Sequence, residues 1–170
     1  RTEGRLKSLF WPSIQSGADV DYLAVHGFWV CTIVGVMSLV FLALAGQPIT
    51  VYDDGAQTRC FTFVADTVRG TMRAATTPEA VGKAFNIGAN RETSVNELAR
   101  LVLALTGSRS EIVHVASAAA YGARFEETRR RVPDISRARE ILGFEATVSL
   151  EEGLRQTVPW FRAHGAGDEA

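Results

Sequence analysis

The sequence has few cysteines, few histidines and no excess of either charge, and each shortage excludes a class of protein. Its two cysteines, Cys31 and Cys60, are too few and too far apart for a disulfide scaffold or a metal knuckle, so a cytoplasmic, reducing location is expected. The three histidines are scattered without the spacing of zinc ligands, and no metal site is expected. Lysine and arginine number 18 against 19 aspartate and glutamate, which argues against general nucleic-acid binding.

Complete catalytic motifs are also missing from the 170 residues. Neither GxGxxG nor GxxGxxG follows a predicted strand, and no GxxxxGK[ST] loop is present, so nothing local would cradle the phosphates of a dinucleotide. No GxSxG elbow occurs, and no tyrosine is followed four residues later by a lysine. The chain by itself therefore predicts no catalytic residue and no cofactor-binding residue.

Charged residues are absent between Asp21 and Asp53. Within this gap, residues 27–46 read GFWVCTIVGVMSLVFLALAG, which matches the length of about 20 apolar residues that a helix needs to span a bilayer. A helix covered on all sides by its neighbours would show the same composition. Residues 27–46 are thus open to two interpretations, a membrane segment with a membrane-associated location or a buried helix.

From Gln47 onward the pattern is typical of an α/β protein with short strands. Alternating or β-branched runs predict strands at residues 49–52, 59–64, 84–87 and 111–115. Capping residues predict helices that begin at Asp66, Ser94, Ser136 and Ser149. Val68, Met72 and Ala75 share one face of the first of these helices.

Two polar clusters are candidate anion sites. The first, YDDGAQTR at residues 52–59, ends a strand with a glycine turn and brings amide, hydroxyl and guanidinium groups together, which suits a diphosphate. The second, RRRVPD at residues 129–134, sets three arginines before a proline-fixed turn. Each also has a plain structural explanation: a hairpin with a surface arginine, and a solvated basic loop neutralised by Glu126 and Glu127.

The order and spacing of three segments resemble a known family. The segments are PITVYDDGAQTRCFTFVADTVRG, FNIGANRETSVNELARLV and RRRVPDISRAREILGFEATVSLEEGL. Together they are similar to the carboxyl-terminal part of NAD-dependent nucleotide-sugar epimerases and dehydratases, the extended short-chain dehydrogenase/reductases. The branch that they resemble most is UDP-glucuronate decarboxylase, which carries Tyr-x-x-Gly-x-Gln-Thr-Arg at this place. The resemblance covers about Val36 to Phe161.

The resemblance implies a fold and a division of the chain. The fold would be α/β, the substrate-binding part of an extended short-chain dehydrogenase/reductase, with short strands and helices and without the Rossmann core. Residues 1–35 would be an apolar leader foreign to the family, residues 36–164 the nucleotide-sugar-binding part, and residues 165–170 a disordered tail.

The resemblance also implies a ligand and its contacts. The partner would be a UDP-sugar, with UDP-glucuronate favoured, and the intact family enzyme would be a homodimer that uses NAD. This chain alone is not expected to bind NAD. Arg59 matches the arginine that contacts the substrate phosphates, and Arg131 matches the one before Pro-Asp that helps hold the nucleotide end. The remaining implied binding residues lie beside Arg59 in the first cluster: Tyr52, Gln57 and Thr58.

Two functions of different classes remain open. The NAD loop and the Tyr-x-x-x-Lys pair are missing, and the residues before Val36 do not resemble the family, as a shifted reading frame or a truncated gene would produce. The first function is an inactive nucleotide-sugar-binding fragment whose intact parent converts UDP-glucuronate to UDP-xylose. The second is a non-catalytic module that binds a nucleotide sugar and is attached to the membrane by a single pass.

We expect the purified chain neither to bind NAD nor to turn over UDP-glucuronate. The physical reason is that no residue can accept the cofactor pyrophosphate or abstract the proton of a sugar hydroxyl. NADH fluorescence and chromatographic detection of product measure the two activities. Product formation above an enzyme-free blank would contradict the expectation.

Overall fold

The computed structural model describes residues 35–118 and 128–164. The chain divides into two compact units, Arg1–Ser38 and Leu39–Ala170, and only residues 35–38 of the first are described. The expected leader, except for residue 35, and the expected tail therefore lie outside the described residues.

Short strands and helices alternate along the second unit, and residues 35–44 are helical. The strands are Ile49–Tyr52 (β1), Thr58–Cys60 (β2), Glu92–Ser94 (β3) and Ile112–Val115 (β4). The helices are Val64–Thr76 (α1), Val95–Thr106 (α2), Ser136–Leu142 (α3) and Leu150–His164 (α4), with a 3₁₀ turn at Pro78–Ala80. The expected α/β class is confirmed.

The four strands form two separate pairs. β1 lies parallel to β4 with Ile49 opposite Ile112, whereas β2 lies antiparallel to β3 with Arg59 opposite Thr93. Helix α2 follows β3 directly and packs against β1, β3 and α4. The segment between β1 and β4 contains β2 and β3. The β2–β3 pair therefore lies near the end of β1, beside the first polar cluster, residues 52–59.

Local signals located β1, β4 and α2 correctly. In α2 the Ser94 hydroxyl accepts from the Glu97 amide at 3.2 Å, the Glu97 carboxylate accepts from the Ser94 amide at 2.8 Å, and Gly107 ends the helix at φ +67°. The prediction of a strand at residues 84–87 is wrong, and that at residues 59–64 is too long. A strand exists only where a second strand pairs with it, and a run of β-formers does not show its partner.

The buried core is built from small contributions of many elements. Its largest fully buried apolar side chains are Val40, Ile49, Val51, Val102 and Phe144. Phe144 follows α3 and forms a cluster with Ala80, Ala138 and Leu142. Helix α1 joins this cluster through its glycine.

Helix α1 buries a small, polar face and exposes an apolar one. Gly70 is buried, and a Cβ there would lie 2.4 Å from Ile87 Cγ2 and 2.9 Å from the Phe144 ring, so only glycine allows this approach. Val68 and Met72 are 55% and 59% exposed. The face that Val68 and Met72 share is therefore not the one that packs on the core.

The sequence predicts Asp66 as the N-cap of α1, and this prediction is wrong. The N-cap is Phe63, and Asp66 lies in the first turn with no exposed surface. Its carboxylate accepts hydrogen bonds from the Thr147 amide (2.9 Å), the Thr147 hydroxyl (3.1 Å) and the Val148 amide (2.9 Å), and it pairs with Arg69 at 2.6 Å. This one side chain ties α1 to the loop before α4.

No helix within residues 35–118 and 128–164 is long and apolar enough to cross a bilayer. Part of the proposed membrane segment, residues 27–34, lies outside those ranges.

Asp66→Asn should destabilise the chain at neutral pH. Asparagine removes the charge, and its NH2 group must face either the two backbone amides or Arg69, all of which are donors. This should lower the free energy of unfolding by about 2–4 kcal/mol. Urea unfolding followed by circular dichroism measures it. Glu140→Gln, at an exposed position on α3, serves as the control and should change stability little.

The loss of stability caused by Asp66→Asn should also depend on pH. Burial by itself raises the pKa of Asp66, but the Val148 and Thr147 amides, the Thr147 hydroxyl and Arg69 outweigh it and hold the pKa below the ordinary 3.8. A depressed folded-state pKa stabilises the fold above the unfolded-state pKa, and this is lost as pH falls through the folded-state value. The difference between wild type and Asp66→Asn should therefore shrink below pH 3.8. A difference that is constant with pH would contradict this assignment.

Candidate functional site

The turn after β1 is held in a left-handed backbone conformation. Asp53 has φ +54° and Gly55 has φ +65°. The Asp53 amide donates to the Val115 carbonyl at 2.8 Å, and its carboxylate accepts from the Ser117 amide at 2.9 Å, a bond that lowers the pKa of Asp53. The turn is thus fastened to the end of β4.

The start of α2 closes on the same turn. The Asn96 side-chain amide donates to the Asp54 carbonyl at 2.8 Å, and its backbone amide donates to the Gly55 carbonyl at 3.1 Å. A Cβ on Gly55 would lie 2.4 Å from Asn96 Oδ1 and 2.7 Å from Val51 Cγ1. Glycine is therefore required here for its backbone conformation and for its size.

Two predicted site residues meet at this turn. Gln57 is 8% exposed, and its side-chain amide donates to the backbone carbonyl of Tyr52 at 3.3 Å. The Gln57 carbonyl accepts from the Val95 amide at 3.2 Å. Gln57 thus joins the end of β1 to the start of α2, and Tyr52 is half-buried beside it.

The second basic cluster lies beside the first through a backbone bridge. Thr58 and Arg130 form a parallel β-bridge: the Thr58 amide donates to the Arg129 carbonyl at 2.8 Å, and the Arg131 amide donates to the Thr58 carbonyl at 3.4 Å. Successive side chains of a strand point to opposite faces. Thr58 and Arg130 therefore share one face, and Arg59 and Arg131 share the other.

We name the two sides after one residue of each. The Glu92 face carries Thr58, Arg130 and Glu92; the Thr58 hydroxyl donates to Glu92 at 2.9 Å, and the Arg130 guanidinium donates to it at 2.6 and 3.1 Å. The Arg59 face carries Arg59, Arg131 and Thr93, which is the residue opposite Arg59 on β3. Thr58 is one of the expected binding residues. Its hydroxyl lies on the Glu92 face, whereas Arg59 lies on the opposite face.

The three consecutive arginines therefore have three different surroundings. Arg129 pairs with Asp54 at 2.9 Å, Arg130 pairs with Glu92, and Arg131 donates to the Thr128 hydroxyl at 3.1 Å. The Arg130 guanidinium lies on the Glu92 face, opposite the Arg59 face. Glu126 and Glu127, which the sequence offered as neutralising groups, lie outside the described residues.

Carboxylates around the arginines are held in the charged form. The Ala56 amide and then Arg129 lower the pKa of Asp54. Hydrogen bonds from Arg130 and Thr58 lower the pKa of Glu92. Sequence reasoning missed Glu92 as a site residue, because 38 positions separate it from Arg130 and only the ribbon register joins them.

A small cavity borders the Arg59 face. Thr93 lines it together with Phe61, Arg91 and residues 145–150, and its volume is about 210 Å³. Pockets that enclose drug-sized ligands measure about 300–1,000 Å³. The cavity is too small to enclose a whole nucleotide sugar.

Residues 86–88 and 134 lie together at one end of this region. The Asn86 side-chain amide donates to the Asp134 carbonyl at 2.8 Å, and the Asp134 carboxylate accepts from the Ser136 amide at 2.9 Å. Gly88 is buried against Thr62. These groups fix the loop that leads into α3.

Within the described ranges, no cluster of His, Cys, Asp and Glu side chains could hold a metal ion.

The chain is similar in sequence to enzymes that act on nucleotide sugars. The family model described as GDP-mannose 4,6 dehydratase matches residues 32–157. The chain is 44% identical over 120 residues to UDP-N-acetyl-alpha-D-glucosaminuronate decarboxylase of Bacillus cytotoxicus, covering 71% of the chain and 37% of that protein. It is 39% identical over 127 residues to UDP-glucuronic acid decarboxylase 1 of Xenopus tropicalis, covering 75% of the chain and 28% of that protein.

Solved structures agree with these matches. UDP-glucose 4-epimerase of Thermotoga maritima with UDP-glucose is 34% identical with a TM-score of 0.67, over 75% of this chain and 39% of that one. UDP-glucuronic acid 4-epimerase of Bacillus cereus, in complex with UDP-glucuronic acid and NAD, is 27% identical with a TM-score of 0.68, over 76% of this chain and 40% of that one. The chain thus spans well under half the length of the proteins that it matches.

Gly55→Ala should lower the free energy of unfolding by more than the cost of its backbone conformation alone. That conformation costs an alanine about 1–2 kcal/mol, and the contacts with Asn96 and Val51 add to it. Gly107→Ala is the matched control, because Gly107 has φ +67° and nothing lies within 4 Å of its Cβ position. Equal losses of stability in urea unfolding would show that the contacts at Gly55 are unimportant.

Proposed function

Because the chain belongs to the GDP-mannose 4,6 dehydratase family of NAD-dependent nucleotide-sugar epimerases and dehydratases, we propose that residues 36–164 form the UDP-sugar-binding part of such an enzyme. The specific activity that we propose for the complete enzyme is decarboxylation of UDP-glucuronate to UDP-xylose. The relatives from Bacillus cytotoxicus and Xenopus tropicalis are both named as decarboxylases of UDP-sugars, which supports this choice over epimerisation. We further propose a cytoplasmic location.

The observation that carries the proposal is the bridge between Thr58 and Arg130. By the alternation of side chains, it supports placing Arg59 and Arg131 on one face, although 72 positions separate them in the chain. A diphosphate is a multiply charged anion, and arginine can meet each phosphate with a planar fork of donors. The nearby carboxylates of Asp54 and Glu92 are engaged by Arg129 and Arg130. We propose that Arg59 and Arg131 flank one diphosphate.

Gln57 and Tyr52 would act at the nucleotide end. The Gln57 side-chain amide is already engaged with the Tyr52 carbonyl, so we propose that Gln57 shapes this end by orienting Tyr52. The cavity beside Thr93 is too small to enclose the ligand, which supports a role as one side of a site that a complete enzyme would close.

We propose that NAD serves the complete enzyme, since the similar Bacillus cereus epimerase was solved with NAD. The residues of this chain do not fit NAD, because the sequence has no glycine-rich turn between a strand and a helix to hold its pyrophosphate. The part that this chain would play is to bind and orient the diphosphate of the substrate.

The family model matches from residue 32, so residues 1–31 lie outside the match, and their origin can be tested at the level of the gene. We propose that the complete gene encodes the GxxGxxG and YxxxK motifs upstream, in this frame or in another. Translation of the upstream DNA in all three forward frames tests this. A promoter and start codon directly before residue 1 would favour the non-catalytic module instead.

Arg59→Ala should raise the dissociation constant for UDP by about 10- to 100-fold. It removes one bidentate, charge-assisted contact, worth about 1.5–3 kcal/mol in total. Arg59→Lys should recover only part of the affinity, because a single ammonium cannot reproduce the fork. Isothermal titration of UDP into the 170-residue chain measures all three proteins. Arg139→Ala, which removes an exposed arginine paired with Glu145, is the control and should bind as wild type does.

Equal affinities of wild type and Arg59→Ala would refute the proposed diphosphate site. The same holds if wild type gives no heat of binding at millimolar UDP. In either case the first cluster would be a structural turn between β1 and β2 that carries a half-buried arginine.

A further inference from the structure

One carboxylate holds together the three segments that form the candidate diphosphate site. Glu92 lies on β3, and its carboxylate accepts from the Thr58 hydroxyl on β2 and from the Arg130 guanidinium on the loop that follows residue 127. The contact with Arg130 uses both carboxylate oxygens, at 2.6 and 3.1 Å. A bidentate pair of this kind fixes orientation as well as distance.

The loop needs such a contact. Three adjacent guanidiniums repel one another, and only two backbone hydrogen bonds, one of them 3.4 Å long, join residues 129–131 to Thr58 within the described part of the chain. Asp54 engages the first arginine and Glu92 the second. Because strand side chains alternate, directing Arg130 to the Glu92 face directs Arg131 to the Arg59 face.

We propose that Glu92 is a positioning residue of the diphosphate site, which acts through Arg130 to keep Arg131 beside Arg59. This inference rests on the proposed function, because it takes Arg59 and Arg131 as the phosphate contacts. Glu92 itself carries negative charge on the opposite face and does not touch the diphosphate. Asp54 also holds this loop, but it pairs with Arg129, which is one residue further from Arg131 than Arg130 is.

The test compares UDP with UMP on the 170-residue chain. If Arg131 meets the second phosphate, which UDP has and UMP lacks, Glu92→Gln should weaken UDP binding about tenfold and change UMP binding by less than about twofold. Loss of stability by itself would weaken both ligands alike. The chain's preference for UDP over UMP is therefore the quantity that reports on position, and isothermal titration measures it.

Three further variants separate positioning from general damage. Arg130→Ala should reproduce the effect of Glu92→Gln, and the double variant should be no worse than either, because both break the same contact. Glu92→Asp keeps the charge and should recover part of the preference for UDP. Glu151→Gln removes another glutamate–arginine ion pair, with Arg155 on α4, and is the matched control that should leave both affinities unchanged.

The outcomes are distinct. If Arg59→Ala weakens UDP binding while Glu92→Gln does not, the positioning role is refuted and the proposed function survives. If Glu92→Gln weakens UDP and UMP equally, or if the effects of Glu92→Gln and Arg130→Ala add, Glu92 supports the fold only and the inference is refuted. If Arg59→Ala binds UDP as wild type does, the proposed function fails and the inference fails with it.

Discussion

The buried carboxylate of Asp66 is the interaction on which the arrangement of helices depends. A charge without exposed surface is costly unless it is paired, and Asp66 satisfies the requirement with two backbone amides, a hydroxyl and Arg69. Arg69 in turn donates to the Glu145 carbonyl at 2.7 Å. The loop between α3 and α4 therefore lies against the first turn of α1, and Gly70 lets Phe144 pack one turn further along.

The candidate site depends on a different constraint, the strict alternation of side chains across a strand. One bridge between Thr58 and Arg130 sorts four neighbouring residues onto two faces. Glu92 neutralises Arg130 on one face, and alternation assigns Arg59 and Arg131 to the opposite face. A single run of three arginines can thus supply two structural ion pairs, with Asp54 and Glu92, and one candidate ligand contact, Arg131.

Predictions from the sequence were accurate where the signal is local. The capping box of Ser94 and Glu97, the glycine after α2 and the strands at β1 and β4 depend on residues within a few positions of each other. The resemblance also names Arg59 and Arg131 as ligand contacts from short motifs, and this stays a prediction. The prediction of a strand at residues 84–87 was wrong because pairing is not a local property.

The sequence by itself determined the class of the fold, the family and the two polar clusters. Each of these depends on residues that are close in the chain or on the order of short motifs. Only the tertiary structure decided which face of α1 is buried: the apolar Val68 and Met72 are exposed, while Asp66 and Gly70 pack inward. It also decided that the Glu92 carboxylate engages Arg130 and that Thr58 bridges to Arg130. The Glu92–Arg130 pair spans 38 positions, and the hydrogen bonds of Asp66 with Thr147 and Val148 span 81 and 82. Strand register and helix packing, rather than local propensity, bring these residues together.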